Sequence, residues 1–105
     1  MKVRWTGPAR RDLIQLHDYL WIRDPIAARQ YVAAIREATM RLVEFPEMGS
    51  KFDSRPIAGS LRSVVVNNHR VIYWVEPDAV LIFRVWDCRQ DPDSLWALLE
   101  YQRAC

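Results

Sequence analysis

Apolar positions recur in two rhythms along the chain, first at helical spacing and later at strand spacing. Ala9, Leu13, Leu16 and Leu20 follow one another at intervals of four, three and four, so they share one face of a helix expected over residues 8–22. Pro8 suits its first position, where the missing N–H would have no partner anyway. Ahead of it, Val3 and Trp5 alternate with Lys2 and Arg4, which predicts a brief strand over 2–6. Asp24-Pro25 repeats the start signal and predicts a second helix over 25–45. On it Ala28, Val32, Ile35, Thr39 and Leu42 repeat helically, with Tyr31, Ala38 and Phe45 widening the stripe. Pro46 ends it by disfavouring the α region in the residue before. Helices joined by so short a turn lie antiparallel, and their stripes need a further surface to cover.

That surface comes from three runs rich in Val, Ile, Phe, Tyr and Trp, predicted as strands over 61–66, 70–76 and 80–86. Asn67-Asn68 is a credible hairpin turn because asparagine tolerates positive φ. The last run is apolar on both alternations except at Arg84, as a central strand would be. A long connection over 46–59 carries Gly49, Ser50, Ser54, Pro56 and Gly59 and shows no periodicity. Asp91-Pro92-Asp93-Ser94 followed by Leu95, Trp96, Leu98, Leu99 and Tyr101 predicts a short C-terminal helix over 92–102. The expected fold class is α+β: an N-terminal strand and an antiparallel helical hairpin packed on a small antiparallel sheet, plus that terminal helix, in one domain spanning 1–105.

Composition narrows the class. Half of the 105 residues are hydrophobic and 27% are charged, which is ordinary globular usage and argues against disorder. No run approaches the roughly 20 apolar residues of a membrane span, and Met1-Lys2-Val3-Arg4 lacks a secretory h-region, so a cytoplasmic location away from membranes is expected. Cys88 and Cys105 have no CxxC or Cys/His company, so they read as reduced structural thiols, and neither metal nor cofactor is expected. The net charge of +2 is too small to identify a polyanion partner, but its distribution is uneven. No carboxylate falls between Asp53 and Glu76, whereas Arg55, Arg62, His69 and Arg70 do.

Familiar catalytic patterns such as GxSxG, a GKS or GKT phosphate loop, HExxH and GxGxxG are absent. His17 reads as a surface histidine, and Tyr19, Trp21 and Tyr31 as seam or core residues of the hairpin. What remains is a basic set: Arg62, His69, Arg70, Arg84 and Arg89 could converge on one open face or edge of the sheet. Guanidinium groups suit phosphate because their planar donors pair bidentately with its oxygens. The alternative is that they are solvent-facing strand residues balanced by Asp87 and Glu76.

These residues resemble the RelE/ParE superfamily of bacterial type II toxins, over most of the chain from Val3 to about Pro92. His69-Arg70-Val71-Ile72-Tyr73 is similar to that family's Tyr-Arg-Val-x-Tyr strand. The run from Val80 to Pro92 resembles its closing strand, commonly Ile-x-Arg-Val-x-His-x-Arg-Arg-Asp-Pro. Asp24-Pro25-Ile26-Ala27-Ala28 and Phe45-Pro46-Glu47-Met48-Gly49 look like the ParE branch.

The superfamily resemblance implies one of two activities. RelE-like members cut messenger RNA on the ribosome, with basic residues stabilising the phosphoryl transition state. Arg70 and Arg89 match two of those arginines, but the preceding basic pair falls on Leu61 and Ser63, and the C-terminal tyrosine position falls near Leu95. ParE-like members poison DNA gyrase and need no such set, so the ParE branch fits better. The departure is Asp87, where the family often has histidine.

The resemblance implies a toxin in a hetero-oligomer with a cognate antitoxin, whose amphipathic helix would cover a groove at Leu13, Leu16, Leu20, Trp74 and Trp86. Target contact falls to Arg62, Arg70, Arg84, Asp87 and Arg89. The alternatives are a ribosome-dependent mRNA interferase using Arg62, His69, Arg70 and Arg89, and a detoxified module that only binds its partner.

Overall fold

The computed structural model describes residues 2–51 and 61–90. The elements run β1 (Lys2–Trp5), α1 (Gly7–Arg23), α2 (Pro25–Glu44), β2 (Ser50–Lys51), β3 (Leu61–Val66), β4 (His69–Val75) and β5 (Ala79–Asp87). The expected helix over 92–102 lies outside the described residues.

Helix α1 opens on Thr6, whose hydroxyl accepts from the Ala9 N–H at 3.1 Å, with Pro8 in the first turn. The whole interhelical link is Asp24. Its backbone N–H closes α1 on the Leu20 carbonyl at 2.8 Å, and its carboxylate opens α2 by accepting from the Ile26 and Ala27 amides at 3.1 and 3.2 Å. One residue thus satisfies orphan groups at both helix ends, which forces the antiparallel hairpin. Ala28, Ile35, Ala38, Thr39 and Leu42 of α2 are buried as their spacing requires. Phe45 is not part of that stripe. As the C-cap it leaves the helical region (φ −131°, ψ 72°), so its side chain loses the helical register and is 60% exposed. Tyr19 and Trp21 are likewise exposed rather than seated in the seam.

The sheet has the order β1-β5-β4-β3-β2. The meander β3-β4-β5 is antiparallel, but β1 runs parallel to β5, pairing Lys2 with Ala79 and Trp5 with Ile82, so the sheet is mixed. The sequence predicts β1 but not its parallel pairing, and β2 is an unforeseen member, two residues paired with Ser63 and Arg62 of β3 within the long connection. Asn67 takes φ 54° in the β3–β4 turn, the left-handed region its side chain tolerates.

One face of the sheet carries the helices. Ala9, Leu13, Ile35 and Leu42 meet Val71, Tyr73, Val80, Ile82 and Val85 in the core. The spacing of three between Ile82 and Val85 comes from a bulge: β4 pairs Tyr73 with Ile82 but Ile72 with Arg84, passing over Phe83. Strict alternation from Val80 and Ile82 would drive Arg84 into the core; the extra residue gives that place to Val85 and turns Arg84 toward α1.

Candidate functional site

Beyond Trp5 the edge of β5 loses its neighbour strand, and side chains at the start of α1 take over its backbone groups. The Thr6 amide and hydroxyl donate to the carbonyls of Ile82 and Phe83 at 3.1 and 2.8 Å, and the Val85 amide donates to Asp12 Oδ2 at 3.0 Å. Asp12 also receives Arg84 in bidentate fashion, Nε on Oδ2 at 2.7 Å and Nη2 on Oδ1 at 2.8 Å. Both side chains are largely buried, 14% exposed for Arg84 and 13% for Asp12. A carboxylate fed by three donors in a half-dry site is strongly held.

This pair forms one wall of a cleft of about 820 Å³ between α1, Tyr31 of α2 and the adjoining end of the β4–β5 pair. Leu16, Tyr19 and Leu20 line it from the helix, and Trp86, Asp87, Arg89 and Gln90 from the strand and its following turn. Tyr31 and His69 also line it. The Tyr31 hydroxyl accepts from the Asn68 amide at 3.0 Å and lies 2.6 Å from His69 Nδ1. The neutral imidazole can pair with that hydroxyl in either tautomer, accepting at Nδ1 or donating from it, since the hydroxyl oxygen keeps a second lone pair. Burial pushes the His69 imidazole below its usual range, with the Asp87 charge opposing, and the same burial pushes the Tyr31 phenol up. Asp87, the strand partner of His69, and Arg89 line the cleft as well: Arg89 reaches both carboxylate oxygens, at 3.0 and 2.8 Å, and its amide adds a third bond at 2.9 Å. The Arg89 side chain holds the Asp87 carboxyl down at about 2.

The basic set anticipated on one face is divided by the strand register. Arg62 pairs with Tyr73 on the helix-bearing side, whereas Arg70 pairs with Val65 on the other, and His69 lies at the far end of β4 from Arg62. Only His69, Arg84, Asp87 and Arg89 of the anticipated contacts share the cleft, along with Leu16, Leu20 and Trp86 of the anticipated groove. Leu13 is a core residue, 8% exposed, and Trp74 packs edge-on to Phe83, 6.4 Å between centroids, away from the cleft. Arg62 donates to the carbonyls of Gly49 and Glu47, at 2.8 and 3.4 Å, and Arg70 donates to Ser63 Oγ at 2.9 Å. Leu61 and Ser63 are buried, 2% and 4% exposed. Cys88 is exposed and free on the turn after β5, not a packed thiol. Among the described residues, no group of three His, Cys, Asp or Glu side chains could hold a metal ion.

Asp12 and Tyr31 are the site residues that sequence reasoning passed over. Both carried a signal: Asp12 falls between Ala9 and Leu16 on the buried stripe of α1, and Tyr31 lies four residues before Ile35 on that of α2. A polar group placed in an apolar stripe implies an internal partner.

A family model described as "ParE toxin of type II toxin-antitoxin system, parDE" matches residues 3–92. The chain belongs to that ParE toxin family. Among curated relatives, this ParE-family toxin is 34% identical over 85 residues to Toxin RelE2 of Caulobacter vibrioides, covering 80% of this chain and 91% of that one. The toxin chain also superimposes on solved structures. A chromosomal ParDE toxin–antitoxin system from P. aeruginosa gives a TM-score of 0.69 at 20% identity, covering 83% of this toxin and 95% of that chain. The RelBE2 toxin–antitoxin complex of Mycobacterium tuberculosis gives 0.61 at 26% identity, covering 82% and 95%. The toxin is therefore a type II toxin of the RelE/ParE superfamily, with relatives bearing both ParE and RelE names.

Proposed function

We propose that this toxin acts in the cytoplasm as an inhibitor of DNA gyrase and is held inactive by a cognate antitoxin that occupies the cleft beside α1. The observation that carries the reading is that the arginines an RNase would need are engaged by the protein itself. Arg89 is paired with Asp87, Arg62 donates to two loop carbonyls, and Arg70 donates to Ser63. Stabilising a phosphoryl transition state requires donors aimed at the developing charge, and a guanidinium neutralised by its own carboxylate supplies little of that field. Leu61 and Ser63, where the chemistry calls for cations, are buried instead. An inhibitor that works by binding needs none of these groups free.

For the antitoxin, the cleft offers the half-buried apolar Leu16 and Leu20 beside two self-neutralised ion pairs, Trp86 being already buried like Leu13. An amphipathic helix laid along α1 would bury the first against its own apolar face. The purified toxin should block gyrase supercoiling at micromolar concentration, and adding antitoxin should restore it. Folded toxin without effect on gyrase would remove the proposal.

One observation favours mRNA cleavage as a second reading. Tyr31 fixes the orientation of a neutral His69 in the same cleft as Arg89, an arrangement that could serve proton transfer. Codon-biased cuts in ribosome-bound mRNA, reduced several orders of magnitude by Arg89→Ala, would establish it.

A further inference from the structure

A second cleft, of about 810 Å³, lies where α2 ends, between the turn after Glu44 and the end of β4. Its backbone is unusually well fixed. The buried Tyr73 hydroxyl donates to the Pro46 carbonyl at 2.8 Å and accepts from the Gly49 amide at 2.9 Å, while Arg62 holds the Gly49 carbonyl. Two side chains carried by this anchored turn are nonetheless held out in solvent, Phe45 at 60% and Met48 at 47% exposure. A rigid backbone presenting an aromatic ring and an adaptable thioether has already met the ordering cost that weakens most docking loops.

Among the described residues, the polar side chains that line this cleft are Glu44, Glu47 and Glu76, all acidic, although the chain as a whole carries +2. Glu76 Oε1 is buried and accepts no hydrogen bond, the Arg4 guanidinium standing 3.8 Å away. That oxygen is shut off from solvent, so Glu76 can meet an incoming cation only through the exposed remainder of its side chain, 35% accessible. The same charges repel phosphate, so this cleft does not suit nucleic acid.

We propose that this cleft is a docking site for a protein segment that inserts an apolar side chain between Phe45 and Met48 and presents flanking lysine or arginine to Glu44, Glu47 and Glu76. It lies at the end of α2 opposite Tyr31 and stands whether the toxin's target is gyrase or the ribosome.

The test uses the full-length toxin and fluorescein-labelled peptides with a central leucine or phenylalanine, flanked by lysine and arginine or, as controls, by glutamate. Basic-flanked peptides should bind, weaken several-fold between 50 and 500 mM salt on the order expected for screened ion pairs, and shift the amide resonances of Phe45, Glu47, Met48 and Glu76. Phe45→Ala, and separately Glu44→Gln with Glu47→Gln, should each weaken binding at least about tenfold, roughly the loss of one hot-spot contact. These positions are exposed or at the cleft rim, so the urea midpoint of each variant should stay at the wild-type value. Equal binding of glutamate-flanked peptides, no binding at all, or shifts confined to the cleft at Tyr31 would overturn the proposal. So would concentration-dependent dimerisation lost in Phe45→Ala without peptide binding, which would make a second copy the occupant.

Discussion

Replacing Asp12 with alanine removes the acceptor of three hydrogen bonds at once and leaves the Arg84 guanidinium, 14% exposed, with no counter-charge. Deleting one partner of a buried ion pair typically costs about 3–5 kcal/mol, because the survivor stays desolvated. Domains of this size hold about 5–15 kcal/mol in total, so the substitution should consume roughly a fifth of the stability or more. At roughly 4–8 °C per kcal/mol the melting point should fall by ~12 °C at least. Asp12→Asn keeps an acceptor for the Val85 amide while losing the charge, and should fall between wild type and alanine. The pairing of Asp12→Leu with Arg84→Met removes both charges, and should recover at least half of the alanine variant's loss, since apolar replacement of both partners is often close to neutral. Urea unfolding followed by tryptophan fluorescence measures all three. A loss below about 1 kcal/mol for Asp12→Ala, or a double variant no better than the single, would show that the pair behaves as a surface contact and that Arg84 is not fixed from within.

Two other outcomes follow from the geometry. A Cβ at Gly49 would stand 2.5 Å from the Tyr73 hydroxyl oxygen and 2.7 Å from the Ser63 carbonyl, so Gly49→Ala should destabilise by about 1–3 kcal/mol, the range for overpacking, read from the urea midpoint. His69 is held below its ordinary value by burial, so between the unfolded pKa of about 6.5 and the lower folded one the unfolded chain binds more protons. Its contribution to stability is therefore complete above that range and lost as the pH falls through it. Titrating the unfolding free energy in wild type and His69→Gln should show the slope just below about pH 6.5 only in the former, while the Asp87 slope at lower pH is common to both.

The local turns of this fold were legible in the sequence because their causes are local. Pro8, the Asp24-Pro25 link, Pro46 and Asn67 each fix a backbone angle or supply a cap within a few residues, and the helices and meander strands end within a residue of where these signals put them. What escaped was what depends on distant pairing. The parallel docking of β1 on β5 joins residues nearly eighty positions apart, and the two-residue β2 is too short to show a period. Arg84 in an apolar run marked the place of the bulge without saying that Val85 would replace it in the core or that Asp12 would receive it. For the site, the sequence named Arg62, Arg70, Arg84 and Arg89 but not their partners. Once Glu47 and Gly49, Ser63, Asp12 and Asp87 are in place, Arg62, Arg70 and Arg84 become internal struts, and Arg89 stays exposed beside its own carboxylate.

The proposal that binding to gyrase, rather than RNA cleavage, carries the toxicity is tested most directly inside the cell. After brief induction of the toxin in bacteria lacking the antitoxin, gyrase-linked DNA breaks and messenger RNA 5′ ends should be mapped from one culture. Accumulated gyrase-linked breaks with unaltered mRNA ends are the predicted result. New 5′ ends recurring at codon positions, without gyrase-linked breaks, would contradict it.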